Sequence, residues 1–213
     1  CALGCAGMPW PWLFAPTKKA LLMAVIWSYH LKYGQPPAFY LKAPTFAYLF
    51  IFIALRALRF AKAAGIKRFV MTSSVAAVAY GHGGTKHHFT EADWTNVESP
   101  DAYPYVKSKT IAERAARDWV AANGGDMEFV TVDPSLVLGP LMAPDFSTSL
   151  EAIKKLLEGS LPGIPSFGFS IVDVRDVADM HVRCLTAPNM ADERFICSGR
   201  FLMLSEVAAI LRE

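Results

Sequence analysis

The chain has 213 residues, of which 53% are hydrophobic, so it is long and apolar enough to form the core of one domain. Its net charge is only +2, and no basic block or pattern of stacking aromatics indicates a nucleic acid partner. The four cysteines, Cys1, Cys5, Cys184 and Cys197, are not spaced as metal ligands or as a disulfide framework. They favour a reduced, cytoplasmic location, and we expect no metal site.

The first 53 residues differ in composition from the rest. They are rich in tryptophan and proline, and no acidic residue precedes Glu91. Two apolar runs, residues 20–27 and 46–55, are shorter than the about 20 residues that span a bilayer, so we do not expect a membrane protein. We expect residues 1–53 to be a truncated, rearranged or frame-shifted segment, followed by one domain over residues 54–213.

From Ala54 onward, apolar residues recur with the spacing of alternating helices and strands. Leu55, Leu58 and Ala61 share one helix face, and Gly65 is placed to end that helix. The elements predicted next are strand Arg68–Thr72, helix Pro104–Ala122, strand Met127–Val132, helix Thr148–Glu158, strand Phe169–Val174, helix Arg175–Thr186, strand Arg194–Cys197, and helix Glu206–Arg212 capped by Ser205. Such alternation predicts an α/β fold with a parallel sheet covered on both faces.

The helix at Pro104 carries a tyrosine and a lysine four residues apart, Tyr105 and Lys109, which share one helix face. A lysine ammonium near a phenol favours the phenolate, so such a pair can exchange a proton near neutral pH. Tyr103 and Lys107 have the same spacing, but Pro104 suits the first turn of a helix and places Tyr103 outside it. An amphipathic helix with an incidental tyrosine and lysine is the alternative. The side chains expected on the outer face are Tyr103, Lys107, Glu113, Arg114, Arg117 and Asp118.

Serines follow the predicted strands. Ser73 and Ser74 come directly after Arg68–Thr72, and Pro134 and Ser135 follow Met127–Val132. In parallel sheets the ligand lies at the carboxyl ends of the strands. We therefore expect Ser74 to reach the same carbonyl oxygen as Tyr105, although a turn or helix-cap serine is the alternative.

The motifs as a set resemble the extended short-chain dehydrogenase/reductases, in particular the branch of dihydroflavonol 4-reductases, cinnamoyl-CoA reductases and related aldehyde or ketone reductases. The segments that carry the resemblance are residues 54–58, 61–68, 72–74, 105–109, 112–113, 132–140 and 172–178. The resemblance extends over residues 54–213. It implies a partial doubly wound, Rossmann-like parallel sheet with a small C-terminal substrate lobe.

The resemblance also implies roles for individual residues. Ser74, Tyr105 and Lys109 would be the catalytic residues, with Tyr105 as the proton donor, Lys109 on the nicotinamide ribose and Ser74 orienting the substrate. The residues implied to contact the cofactor are Ser73, Tyr105, Lys109, Pro134, Leu136 and Val137. The implied reaction is reduction of a small-molecule aldehyde or ketone to an alcohol with NADP or NAD, of which the resemblance favours NADP. The alternative enzymes are a nucleotide-sugar epimerase and a hydroxysteroid dehydrogenase.

One part of the family pattern is missing. A doubly wound fold begins with a strand, a Gly-rich turn and a phosphate-binding helix, but residues 1–67 contain no G-x-x-G-x-x-G. Gly4-Cys5-Ala6-Gly7 is the nearest match, and Pro9 and Pro11 follow it. We therefore expect this chain to bind dinucleotides weakly. A non-catalytic binding module is the alternative from another class of protein.

Overall fold

The computed structural model describes residues 43–141 and 148–212. The helices are α1 (Ala43–Ala63), α2 (Pro104–Asn123), α3 (Thr148–Leu157), α4 (Val174–Thr186) and α5 (Leu204–Ile210), with a short 3₁₀ helix at Val75–Ala77. The strands are β1 (Arg68–Thr72), β2 (Glu128–Pro134), β3 (Leu136–Leu138), β4 (Gly168–Asp173), β5 (Arg194–Cys197) and β6 (Phe201–Met203). Across these residues, none of the helices is long and apolar enough to cross a membrane.

The strands form two small sheets. The first has the order β1-β2-β5 and is parallel throughout, with Thr72 opposite Val132 and Pro134 opposite Cys197. In the second sheet β4 lies between β3, to which it is parallel, and β6, to which it is antiparallel. The carboxyl ends of β1 and β2 therefore lie side by side, which brings the two predicted site segments to one edge of the sheet.

Helices cover both faces of the parallel sheet. On one face, Leu58 of α1 and Ala116 of α2 pack with Phe69 and Phe129 of the sheet. On the other face, buried valines of β1 and β2 pack with Val177 and Cys184 of α4. Alternate strand residues thus point into two different cores, as expected for a parallel sheet between helical layers. The predicted α/β fold with a doubly wound parallel sheet is confirmed.

Helix α1 ends as the sequence predicts. Gly65 has φ 69°, its N–H donates to the Lys62 carbonyl, and the Ile66 N–H donates to the Ala61 carbonyl. These two bonds form a Schellman motif, in which glycine adopts the left-handed conformation at low cost. The helix begins at Ala43 and runs through residue 53, so the backbone shows no break at the boundary that composition suggested. Most of the segment 1–53, up to residue 42, lies outside the described residues.

Three details differ from the sequence-based expectations. Strands β3 and β6 were not predicted, because three residues are too few to show a period-2 pattern. The residue before α5 is Met203, whose N–H donates to Glu206, so Ser205 is not the cap. Strand β2 continues to Pro134, where a missing N–H is tolerated because the strand ends there.

Candidate active site

Three successive side chains at the end of β1 are held by three different elements. The Thr72 hydroxyl lies 2.8 Å from Nε2 of His181 on α4, and the Ser73 hydroxyl donates to Glu113 of α2 at 2.5 Å. The Ser74 hydroxyl accepts from the Ala76 N–H at 3.1 Å and so caps the 3₁₀ helix. Ser74 therefore has the capping role considered as an alternative, yet accepting this bond does not use its own proton.

The first two turns of α2 present the tyrosine–lysine pair. Pro104 is the first helical residue, and Tyr105 on the first turn is 40% exposed. The Lys109 ammonium lies 5.8 Å from the centre of the Tyr105 ring and 4.8 Å from the Phe50 ring of α1. The ammonium is thus placed beside the phenol, and α1 supplies an aromatic surface on which it rests.

The Ser74 segment and the start of α2 pack against each other. Val106, next to Tyr105, is fully buried in a cluster with Ala76 and Ala102. The Thr110 hydroxyl, one helical turn later, lies 3.4 Å from the Ala76 carbonyl oxygen. Both segments therefore lie at the carboxyl edge of the sheet on the α2 side. That the Ser74 and Tyr105 hydroxyls meet on one carbonyl oxygen remains a prediction.

Tyr103 belongs to an aromatic cluster. Its ring stacks on Tyr105 at 6.4 Å and meets Tyr80 edge-on at 6.0 Å. Burial of the phenol raises the pKa of Tyr103 to about 12, helped by the neighbouring phenols of Tyr80 and Tyr105. Helix phase predicted that Tyr103 faces solvent. In the structure 49% of it is exposed, and the rest is covered by this cluster.

The residues implied to line the nicotinamide lie on the neighbouring strands. Pro134 is buried at the end of β2, beside the end of β1. Leu136 and Val137 are half-buried in β3, where they lie opposite Ile171 and Val172 of β4. This stretch supplies apolar surface at the correct edge of the sheet, and its contact with a cofactor remains a prediction.

The predicted exposure of Glu113 is wrong. It was expected on the outer face of α2, but its side chain is fully buried. Oε1 accepts from Arg194 Nε at 2.8 Å, Arg117 Nε at 3.2 Å and the Thr131 hydroxyl at 3.3 Å, and Oε2 accepts from Ser73. Arg117 was also expected outside, yet only 12% of its side chain is exposed. The helix has two buried faces, one against α1 and one against the sheet, and the second contains Glu113, which helix phase alone had put outside.

A second buried acid lies next to this group. The Asp133 carboxyl is fully buried at the end of β2, with Oδ2 3.5 Å from Arg194 Nε. Burial raises the pKa of Asp133 to about 8, and the nearby Glu113 carboxylate acts in the same direction, against Arg194 and Arg117. A charged residue in an otherwise apolar strand signals a buried partner, and that signal was available in Val130–Pro134.

Within residues 43–141 and 148–212, no three His, Cys, Asp or Glu side chains are grouped closely enough to hold a metal ion. A groove of about 520 Å³ runs along α1, lined by Ile51, Phe52, Leu55, Arg56, Arg59 and Phe60. Its lining contains none of the predicted site residues.

A parallel sheet between helical layers, with a Tyr-x-x-x-Lys helix beside the serine turn, is the arrangement of a doubly wound α/β protein. The chain belongs to the NAD dependent epimerase/dehydratase family, whose sequence profile matches residues 28–197. The family inferred from the motifs is confirmed. The match begins before residue 54, inside the segment that composition set apart.

Individual relatives are reductases by name. A cinnamoyl-CoA reductase from Medicago truncatula is 40% identical over 166 residues, which are 72% of this chain and 47% of the relative. A dihydroflavonol 4-reductase from Gerbera hybrida is 29% identical over 71% of this chain and 42% of its own. The crystal structure of yeast methylglyoxal/isovaleraldehyde reductase complexed with NADPH has a TM-score of 0.65 at 27% identity, over 76% of this chain and 54% of that one. The chain thus spans about half the length of the curated relatives it matches.

Proposed function

We propose that this chain carries the carbonyl-reducing site of an NAD(P)H-dependent reductase, which converts an aldehyde or ketone to an alcohol. The observation that carries the proposal is the Lys109 ammonium beside the Tyr105 phenol, on the helix that packs against the Ser74 turn. This pair lies at the carboxyl edge of a parallel sheet, where ligands of such folds bind. The names of the relatives point to the same reaction class.

The residues fit the nicotinamide half of a dinucleotide. Lys109 offers a half-buried cation at the sheet edge, and Pro134, Leu136 and Val137 offer apolar surface for a planar ring. The sequence of residues 1–67 contains no G-x-x-G-x-x-G motif for the pyrophosphate, so the fit concerns that half alone. We propose NADPH rather than NADH as the cofactor, since the similar yeast reductase was crystallised with NADPH.

When bound, the reduced dinucleotide supplies a hydride to the carbonyl carbon. Tyr105 donates its phenolic proton to the carbonyl oxygen, which receives the electron pair of the C=O π bond. Lys109 stabilises the phenolate left behind and binds the ribose, and Tyr105 regains its proton from solvent. Ser74 donates its hydroxyl proton in a hydrogen bond to the same oxygen and so orients the substrate.

Tyr105→Phe tests the proposal, since it removes only the hydroxyl. Reduction of isovaleraldehyde or methylglyoxal by NADPH at high concentration should fall at least about 100-fold, the usual contribution of a general acid. NADPH absorbance and product analysis measure the rate, and circular dichroism checks the fold.

Tyr103→Phe is the matched control, because Tyr103 lies two residues earlier and its ring stacks on Tyr105. It should retain most of the activity. The proposal fails if Tyr105→Phe reduces carbonyls as fast as the unchanged chain, or if Tyr103→Phe alone abolishes reduction.

The protein's partner would be a small carbonyl compound, and we place the protein in the cytoplasm. Cys184 and Cys197, the cysteines within the described residues, are buried free thiols. Burial raises the pKa of both thiols, which keeps them protonated and unreactive. Free buried thiols are typical of reducing compartments.

A further inference from the structure

We propose that Glu113 is a positioning residue, which fixes the Ser74 turn relative to the Tyr105–Lys109 helix through its hydrogen bond from Ser73. The inference rests on the proposed function, because it concerns the spacing between two parts of that site. Ser74 and Tyr105 lie 31 positions apart in the sequence, on different elements. Some contact has to fix their separation if both hydroxyls are to reach one oxygen atom.

Glu113 is placed to make that contact. It lies on α2 one turn after Lys109, and its Oε2 accepts the Ser73 hydroxyl at 2.5 Å. Ser73 directly precedes Ser74, and both Ser73 and Glu113 are buried. A hydrogen bond to a carboxylate is stronger than one between neutral groups, and water does not compete for it in a buried position.

The other oxygen of Glu113 is held by three further donors. Arg194 belongs to β5, Thr131 to β2 and Arg117 to α2 itself. The carboxylate is therefore fixed to two strands of the sheet and to its own helix. Its remaining oxygen, Oε2, accepts from Ser73 and so holds the residue next to Ser74 in place.

The Ser73 hydroxyl is therefore engaged with Glu113 in the protein interior. The family resemblance implied that Ser73 contacts the cofactor. The geometry favours an indirect role, in which Ser73 acts through Glu113 on the position of Ser74. Since a displacement of about 1 Å at a reacting group can cost about 100-fold in rate, losing this contact should affect turnover.

Ser73→Ala and Thr131→Val form a matched pair of variants in this chain. Each removes a hydroxyl that donates to Glu113, but only Ser73 belongs to the Ser74 turn. The Thr131 hydroxyl also accepts from Arg117 Nη2 at 2.8 Å. Removing it should therefore lower the stability of the fold at least as much as removing the Ser73 hydroxyl. Both variants should lower the urea midpoint of unfolding.

Amide hydrogen exchange provides a readout that does not depend on activity. In Ser73→Ala, the amides of Ala76 and Ala77, which donate to Ser74, should exchange about tenfold faster. Thr131→Val should leave them close to the unchanged protein, because Arg194 and Arg117 still hold Glu113 and Ser73 still donates to it. In the reductase assay, kcat of Ser73→Ala should fall about 10- to 100-fold with little change in the KM of the carbonyl substrate.

Glu113→Gln and the double variant Ser73→Ala/Glu113→Gln distinguish an indirect role from direct cofactor contact. If Ser73 acts through Glu113, the two losses in kcat are less than additive, whereas independent roles give additive losses. The proposal is overturned if Thr131→Val matches Ser73→Ala in both readouts, or if the Ala76 and Ala77 amides are unaffected by Ser73→Ala. A chain that reduces no carbonyl compound refutes the proposed function, and the exchange experiment still tests the role of Glu113.

Discussion

At the scale of single residues, Asp133 has the most unusual environment in the described part of the site. Its carboxyl group is buried among Glu113 and Arg117 of α2, Arg194 of β5 and Ser73 after β1. The folded protein keeps a proton on this group that the unfolded chain releases, since the pKa of Asp133 is raised from 3.8 to about 8. Stability should therefore fall as the pH rises through this window, by at most about 1.4 kcal/mol per pH unit for one proton.

Asp133→Asn removes that titration and keeps the size of the side chain. The unchanged chain should lose stability between about pH 5 and about pH 8, and the variant should lose less, so the variant becomes relatively more stable at the alkaline end. Urea unfolding at a series of pH values measures the difference. Asp118→Asn, the same kind of change at an exposed position of α2, is the control for the loss of one carboxyl group. Parallel curves for Asp133→Asn and the unchanged chain would contradict the buried, protonated state of Asp133.

At the scale of elements, Arg194 joins β5 to the loop that precedes α2. Its guanidinium donates to the carbonyls of Glu91 and Asp93 at 2.7 Å each and lies 3.9 Å from the Trp94 ring. It is only 7% exposed and also pairs with Glu113. The loop, the strand and the helix are therefore held together by one side chain.

Arg194→Met should be strongly destabilising, by about 3–5 kcal/mol, because it removes a buried cation that pairs with the Glu113 carboxylate and leaves the carbonyls of Glu91 and Asp93 without this donor. Chemical unfolding in urea measures the loss. Arg114→Met is the matched control, because Arg114 also lies over Trp94, at 4.9 Å, but is exposed. It should cost no more than about 1 kcal/mol. Equal losses in the two variants would show that the contact with Trp94, and not the buried network, carries the effect.

At the scale of the whole molecule, the feature that matters most is how the chain could hold the phosphates of a dinucleotide. Family members hold the pyrophosphate on backbone N–H groups at a helix N-terminus. The sequence of residues 1–67 lacks the G-x-x-G-x-x-G motif of such a site, and Lys109 with the Pro134 segment can hold only the nicotinamide half. We therefore expect calorimetric titration of this chain with NADPH and NADH to show binding much weaker than micromolar.

Micromolar binding of either dinucleotide would show that another part of the chain holds the phosphates. Lys109→Met is a useful comparison in the same titration, with Lys107→Met as its control. Only the first variant should weaken whatever binding is present. A chain that neither binds dinucleotides at millimolar concentration nor reduces carbonyls would match the alternative of a non-catalytic module.

Local patterns were sufficient for most of the helices and for the tyrosine–lysine pair. Helix phase, the proline before Tyr105 and the glycine at 65 act within a few residues, so the sequence shows them directly. The error at Glu113 has a different origin. A charged residue on a helix is predicted to face solvent, and its burial depends on Arg194, which lies 81 positions later. No local pattern contains that partner.

The sequence by itself determined the alternation of strands and helices, the family, and the residue types available for proton transfer. These follow from hydrophobic periodicity, turn chemistry and motifs of a few residues. Only the tertiary structure decided how the site is supported: which strands are neighbours, which element holds each side chain of Thr72–Ser74, and that Glu113, Asp133 and Arg194 are buried. The physical reason is that a buried charge is stable only beside its partners, and the fold brings those partners together from four separate elements.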